Sequence, residues 1–339
     1  MPVLFFFLDL SSQACIETQR NIMFLINCLS FLGKHARLCL PVGLCVALIL
    51  PDLGEQVRDM VPLVIIIIYA SAMIRLDLGI AIRGAIQPRR ILQSLGLSLV
   101  ILILIPCLFV FTARSLGLAE MFIPVLVWYA VAPPIASTVW MCLLLGFRPI
   151  LAMELVAMTS LIAPLSGPFV SSLFLSNIVS INPIDLLTRL ALMIVIGGGL
   201  AVLGQRLISR KKIEEHHTVF DGISTCAMLI FLIPVFNGVS TQISISPVLA
   251  YQLLALAVLM NFGSQLFMMV LAIFLRAKQA KDTLKVMAVI AGNRNVGLYY
   301  AALPYDPVMG LFTAMYQVPL YLTPLFLGLL NRTQKIPKK

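Results

Sequence analysis

Apolar residues fill the chain in blocks of about 15 to 30, most of them near or above the roughly 20 needed to cross a hydrocarbon core, and short polar stretches separate the blocks. The pattern predicts ten helical spans, at about 37–51, 59–76, 91–113, 120–145, 149–173, 182–205, 220–239, 246–275, 283–304 and 308–330. Two of them are interrupted. The fourth contains Pro133 and Pro134, which remove backbone donors and crowd the preceding turn; the ninth contains Gly292 and Gly297 around Asn293, Arg294 and Asn295. Glycine weakens a helix interior, so each of these spans is expected to split into two half-helices. The breaks hold the same ordinal place in two halves, 37–180 and 181–331. Five spans per half is an odd number, so the repeats are expected to be inverted relative to the membrane. Residues 1–36 fit less well: Met1 to Leu10 reads as a fragment of a hydrophobic segment, and Asn21 to Gly33 is apolar but short. A re-entrant or surface-lying helix is expected there, and residues 332–339 read as a cytoplasmic tail. The fold class is therefore an all-α multi-pass membrane protein of ten transmembrane helices in two inverted five-helix repeats.

Composition agrees with a chain that lies mostly in the lipid bilayer. It is 60% hydrophobic and 11% charged, far from the roughly 25% charged residues of a soluble domain. The net charge of +10 is spread over short clusters between apolar spans, as topology signals are, so nucleic acid is not an expected partner. Of the 24 Lys and Arg residues, only Arg58, Arg114 and Arg189 fall on one side, and Arg294 lies within a span; the other 20 sit on the alternate loops. Both termini are therefore expected in the cytoplasm, and the location in an inner or plasma membrane. No signal peptide is expected, because the leading apolar run lacks a basic region and a small-residue cleavage site. The seven cysteines include no C-x-x-C pair and read as small buried hydrophobes. The sequence carries no signal for an oligomeric state.

Arg294 is the most informative single residue. A charge at bilayer depth costs about 2.5–3.5 kcal/mol on insertion scales, so an intramembrane arginine needs a partner and marks a functional site by default. Glu154, about six residues into the fifth span, is the one carboxylate at depth. A charge pair between Glu154 and Arg294 is expected, acting either as a structural lock or as a group that responds to substrate or proton. Enzymatic chemistry has no visible basis, since the chain holds no H-E-x-x-H, no G-x-S-x-G and no pair of intramembrane aspartates. His35, His216 and His217 all fall in loops, which argues against a histidine relay.

The run from Pro134 to Val139, continued by WMCLLLGFRPILAMELVAMTSLIAPLSGP, resembles the fourth and fifth helices of the bile acid:sodium symporter family. GNRNVGLYYAAL is similar to that family's broken ninth helix, with its Gly-x-Gln-Asn-x-Gly-Leu pattern. The resemblance implies a core domain from spans 3–5 and 8–10, in which the broken helices cross, and a panel domain from spans 1, 2, 6 and 7. It also implies a secondary transporter of a small, amphipathic organic anion working by alternating access, with sodium bound beside the crossing. Ser137 matches a serine ligand, and Asn295 keeps an asparagine. Thr138 stands where asparagine is usual, Arg294 where glutamine is usual, Ile290 where an acidic residue is usual, and Ile101 where glutamine is usual. Sodium prefers oxygen ligands, carboxylate among them, so the second sodium site reads as dismantled. Sodium at Ser137, Thr138 and Asn295, coupling through Glu154, and no coupling at all stay open. Substrate is expected at Ser137, Thr138, Asn293, Arg294 and Asn295. Two other readings on the same architecture are a carrier resembling the arsenite exporters, with Cys142 as the nearest thiol, and a membrane sensor that binds without transporting.

Overall fold

The computed structural model of the protein describes residues 12–50, 53, 55–75, 87–176, 178 and 181–333. Met1 to Leu10, the segment that holds Arg83 and the residues beyond Thr333 lie outside them. The helices are α1 (Ser12–Lys34), α2 (Ala36–Ile49), α3 (Val61–Met73), α4 (Pro88–Ser115), α5 (Ile123–Val131), α6 (Ser137–Leu144) and α7 (Pro149–Leu175). They continue with α8 (Pro183–Leu207), α9 (His217–Phe236), α10 (Pro247–Phe274), α11 (Lys278–Gly292), α12 (Val296–Ala302) and α13 (Pro307–Thr333). Among the described residues all regular structure is helical, apart from one isolated backbone bridge.

Proline sets most of the long helix starts. Pro88, Pro149, Pro183, Pro247 and Pro307 each open a helix, where the fixed φ suits the first turn and the missing N–H would have had no partner. Side chains add caps at two of these starts. The Asn182 Oδ1 accepts from the Ile184 N–H at 3.0 Å and the Asp306 Oδ1 from the Met309 N–H at 2.6 Å.

Among the described residues, five helices are long and apolar enough to cross a membrane: α4, α7, α8, α10 and the run His217–Ile245 that begins with α9. Their outer faces expose Phe169, Leu192, Phe267 and Phe274, an apolar surface that a water-soluble monomer rarely shows. The protein is membrane-embedded. Of the other expected spans, the tenth is the single helix α13, and the rest appear as shorter or divided pieces. Helices α2 and α3 have 14 and 13 residues, and the fourth and ninth spans are each cut in two.

Helix α1 meets α2 at a 90° bend and lies against α9. Small residues permit this seat: a Cβ on Gly33 would run into the Thr218 carbonyl, and one on Gly222 into the Leu29 carbonyl. The Ser30 and Thr218 hydroxyls, 3.0 Å apart, pair across the same contact.

Element boundaries recur at a nearly fixed offset. Pro88 and Pro247 open α4 and α10, wide π turns fall at Val100–Leu104 and Leu259–Gly263, and Ser137 and Val296 open α6 and α12. Each pair stands 159 positions apart, as the numbers show; the starts of the two 27-residue helices α7 and α13, Pro149 and Pro307, stand 158 apart. Pro106 accounts for the first π turn, because its ring would press on the Leu102 carbonyl and the wider turn relieves that. Gln265 holds the corresponding place in the second turn, which presents Asn261 to the interior instead.

Helices α2, α9, α3 and α8 pack side by side in that order. Helices α4, α5 and α6 pack on α7, which also touches α11, while α10 packs on α11 and α13.

Candidate functional site

The two chain breaks meet. Helix α5 stops at Val131, where Ala132 turns extended ahead of the two prolines, and α11 stops at Gly292, where Asn293 leaves the helical region. Backbone groups freed at one break are satisfied by the other, the condition for irregular backbone at membrane depth. The Asn295 N–H donates to the Pro133 carbonyl at 2.7 Å, the Ile135 N–H donates to the Asn293 carbonyl at 3.0 Å, and Pro134 and Arg294 face each other as an antiparallel bridge. Helices α6 and α12 resume beyond the crossing.

The guanidinium of Arg294 is held at this point, with 1% of the residue exposed. Its Nε donates to the Ala291 carbonyl at 3.3 Å and one terminal nitrogen to the Ala132 carbonyl at 3.1 Å. Both carbonyls lie at the C-terminal ends of half-helices, α11 and α5, where the helix dipole is negative. A polar shell closes round them. The Tyr129 hydroxyl lies 2.6 Å from the Met260 carbonyl and 2.8 Å from that of Ala291. The Asn261 amide donates to the Gly292 carbonyl at 2.5 Å and is itself steadied by Gln265 and Thr323. A Cβ on Gly292 would strike the Asn261 carbonyl and the Gln265 side chain, so the close approach of α10 requires glycine there.

A cavity of about 610 Å³ opens beside the crossing. Ser137, Arg294, Asn295 and Gly297 line it from the crossing, and Lys34, Arg37 and Arg75 line it too, Arg75 paired with Asp221. Leu40, Ile65, Ile68, Phe231 and Leu320 form apolar walls. Arg37 stacks over Trp140, with its guanidinium carbon 5.0 Å from the ring centre. Gly297 lets α12 sit close to the opposite wall, since a Cβ there would come within 2.8 Å of Phe231 and 2.9 Å of Ile65.

Other expected site residues lie elsewhere. Thr138 is fully buried, does not line the cavity, and donates its hydroxyl to the Ile135 carbonyl at 2.6 Å. Asn293 is likewise buried off the cavity, its amide on the Val289 carbonyl at 2.8 Å and its Oδ1 without a hydrogen-bond partner. Pro133 and Pro134 are buried within the break itself. The expected contact between Glu154 and Arg294 does not form. Glu154 faces α4, accepting from the Ser94 hydroxyl at 3.2 Å and lying 3.8 Å from the Arg90 guanidinium, because its side of α7 points away from the crossing.

Sodium chemistry finds a poor match in these residues. The Thr138 hydroxyl is already committed, and Ile101 and Ile290 are both fully buried in one apolar cluster with Leu151 and Leu155. The carbonyls at the break already face a guanidinium. Among the described residues, no three His, Cys, Asp or Glu side chains gather to hold a metal ion.

Tyr129 and Tyr316 are essential parts of the crossing that the sequence reading passed over. The signal for Tyr129 was present, a phenol one turn ahead of the proline pair; Tyr316 carries no local mark in the tenth span. No family model matches the chain, and no curated protein matches it.

Proposed function

We propose that this protein is a membrane carrier for a small, amphipathic organic anion, which binds between two helical layers and crosses by alternating access. The observation that carries this reading is the cavity. At about 610 Å³ it falls within the roughly 300–1,000 Å³ typical of small-molecule sites, and its lining combines apolar walls, basic residues and the polar crossing. One wall comes from α2, α3 and α9, the other from α6, α12 and α13. A ligand there touches both layers, so relative movement of the layers exposes it to one side or the other. Lys34 and Arg37 draw in an anion, the aliphatic and aromatic walls take an apolar body, and Ser137, Asn295 and Arg294 meet its far end.

The recurrence of element boundaries at 158 or 159 positions supports two repeats of five spans, and paired broken helices in such repeats are the usual address of a carrier's binding site. On this reading α2, α3, α8 and α9 form the panel and the remaining spans the core. The clustering of Lys and Arg supports a cytoplasmic side, in an inner or plasma membrane, for the part of the cavity lined by Lys34 and Arg37. The arsenite reading is disfavoured by the position of Cys142, which is fully buried among Ile101, Met141 and Leu155 and does not line the cavity.

A screen of amphipathic carboxylates and sulfonates for thermal stabilisation of the purified chain, followed by uptake of the hits into proteoliposomes, tests the proposal. Stabilisation and flux, both lost when Ser137 and Asn295 are replaced by leucine, are the expected result. Stabilisation without flux would make the protein a sensor, and a hit that keeps its full effect in both variants would remove the site.

A further inference from the structure

The crossing combines features of a cation site with a side chain that already supplies the cation. Carbonyls of Ala132, Ala291 and Gly292 converge from the C-terminal ends of α5 and α11, each end carrying partial negative charge. In carriers built on broken helices, unwound carbonyls and half-helix C-termini of this kind coordinate sodium. Here the Arg294 guanidinium lies among them, donating to Ala291 and Ala132, with its own backbone N–H tied through Tyr316 to Gly292.

No carboxylate balances it. Among the described residues Arg294 makes no ion pair, and Glu154 is occupied by Arg90 and Ser94. Ile101 and Ile290, both buried, offer no ligand to a metal ion. A full positive charge carried by the chain is thus balanced by dipoles alone.

We propose that Arg294 is the resident cation of this crossing, a covalently tethered substitute for a metal ion, so that the protein holds its broken helices together without binding sodium. The consequence for transport, that flux needs no sodium gradient, rests on the carrier reading above. The structural part does not, and it is tested without any flux measurement.

The purified full-length protein is unfolded thermally in sodium, potassium or choline chloride at one ionic strength. The native protein is expected to show the same midpoint in all three. Arg294→Ala is expected to unfold on the order of 5–10 °C lower, because it leaves buried carbonyls unpaired. Millimolar guanidinium chloride, far below denaturing levels, is expected to restore most of that loss by filling the vacated position, while equimolar choline does not. Arg294→Lys, which keeps a charged donor, serves as a second variant: it is expected to stay closer to native than Arg294→Gln. A sodium-specific rise in the native midpoint, an alanine variant indifferent to guanidinium, or a lysine variant no better than glutamine would each overturn the proposal. Sodium-independent stability together with absent flux would instead leave the tethered cation standing and remove the carrier.

Discussion

Tyr316 and Arg294 are joined through the main chain as well as by proximity: the Arg294 N–H donates to the Tyr316 hydroxyl at 2.8 Å, and that hydroxyl donates onward to the Gly292 carbonyl at 2.7 Å. One phenol oxygen therefore satisfies an orphan donor and adds to the Asn261 bond on a carbonyl of the same broken helix. Tyr316→Phe removes both bonds, leaving the buried Arg294 N–H unpaired and the Gly292 carbonyl with fewer donors. Unsatisfied buried groups cost about 1–3 kcal/mol each, so the variant is expected to unfold several degrees below the native protein by fluorescence-monitored melting. An unchanged midpoint would show that water fills the gap without penalty.

Glycine at the break is held to its size by neighbours, whereas glycine on the outer surface is not. Gly292→Ala forces a methyl group against the Asn261 carbonyl and Gln265, and overpacking of this kind costs about 1–3 kcal/mol. Gly96, in α4, has nothing within 4 Å of an added Cβ. Gly96→Ala should leave the melting midpoint unchanged or slightly raised, since alanine gains up to about 1 kcal/mol in helix propensity. Equal behaviour of the two variants would contradict the close packing of α10 on the crossing.

Two arginines bind the end of α12 farther from the crossing. Arg58, ahead of α3, places its guanidinium carbon 4.2 Å from the ring centre of Tyr305 and 5.3 Å from that of Tyr300, and Arg189 of α8 donates to the Ala302 carbonyl at 3.3 Å. Both grip the end of α12 from the opposite layer. Arg58→Ala combined with Arg189→Ala should loosen that grip. In a cysteine-depleted background carrying Asn295→Cys, labelling by a membrane-impermeant maleimide from the side opposite Lys34 is expected to rise several-fold. Labelling at the native rate would show that these contacts do not limit access to Asn295 from that side.

Glu154 is expected to matter little. Its partner Arg90 is half exposed, and ion pairs of that kind contribute about 0–1 kcal/mol after solvent screening. The Gln side chain keeps an acceptor for Ser94, so Glu154→Gln should melt within a few degrees of native and respond identically to the anions that stabilise it. A large loss in either measurement would restore a coupling role to this carboxylate.

The breaks were readable because proline and glycine act locally: Pro133 and Pro134 cannot donate, whatever surrounds them, and Gly292 weakens any helix it interrupts. Helix starts at Pro88, Pro149, Pro183, Pro247 and Pro307 were readable for the same reason. The facing of Glu154 was not: counting from Gly146 sets Leu151 and Leu155 toward the crossing, counting back from Pro164 sets Ala152 and Val156, and the two registers differ by one residue, about 100° of rotation on an α-helix. Nor did the sequence announce what would balance Arg294. A carboxylate was sought because charges are visible in a sequence, while the carbonyls of Ala132 and Ala291 become counter-charges only when two distant half-helices end at one place. Tyr316 was hidden by the same kind of dependence, because a phenol among apolar residues shows its role only once its backbone partners come within reach.

The Arg294 guanidinium also orders the assembly of the chain in time. Among the described residues its one hydrogen-bond partner outside the local backbone is the Ala132 carbonyl, synthesised some 160 residues earlier. Emerging from the translocon, the segment around Arg294 meets lipid as a costly guest, on the order of 3 kcal/mol for the charge alone, until that carbonyl is already waiting. The charge finds its acceptors in both halves only when α11 docks on a first half already broken at Ala132, which ties insertion of one repeat to the fold of the other.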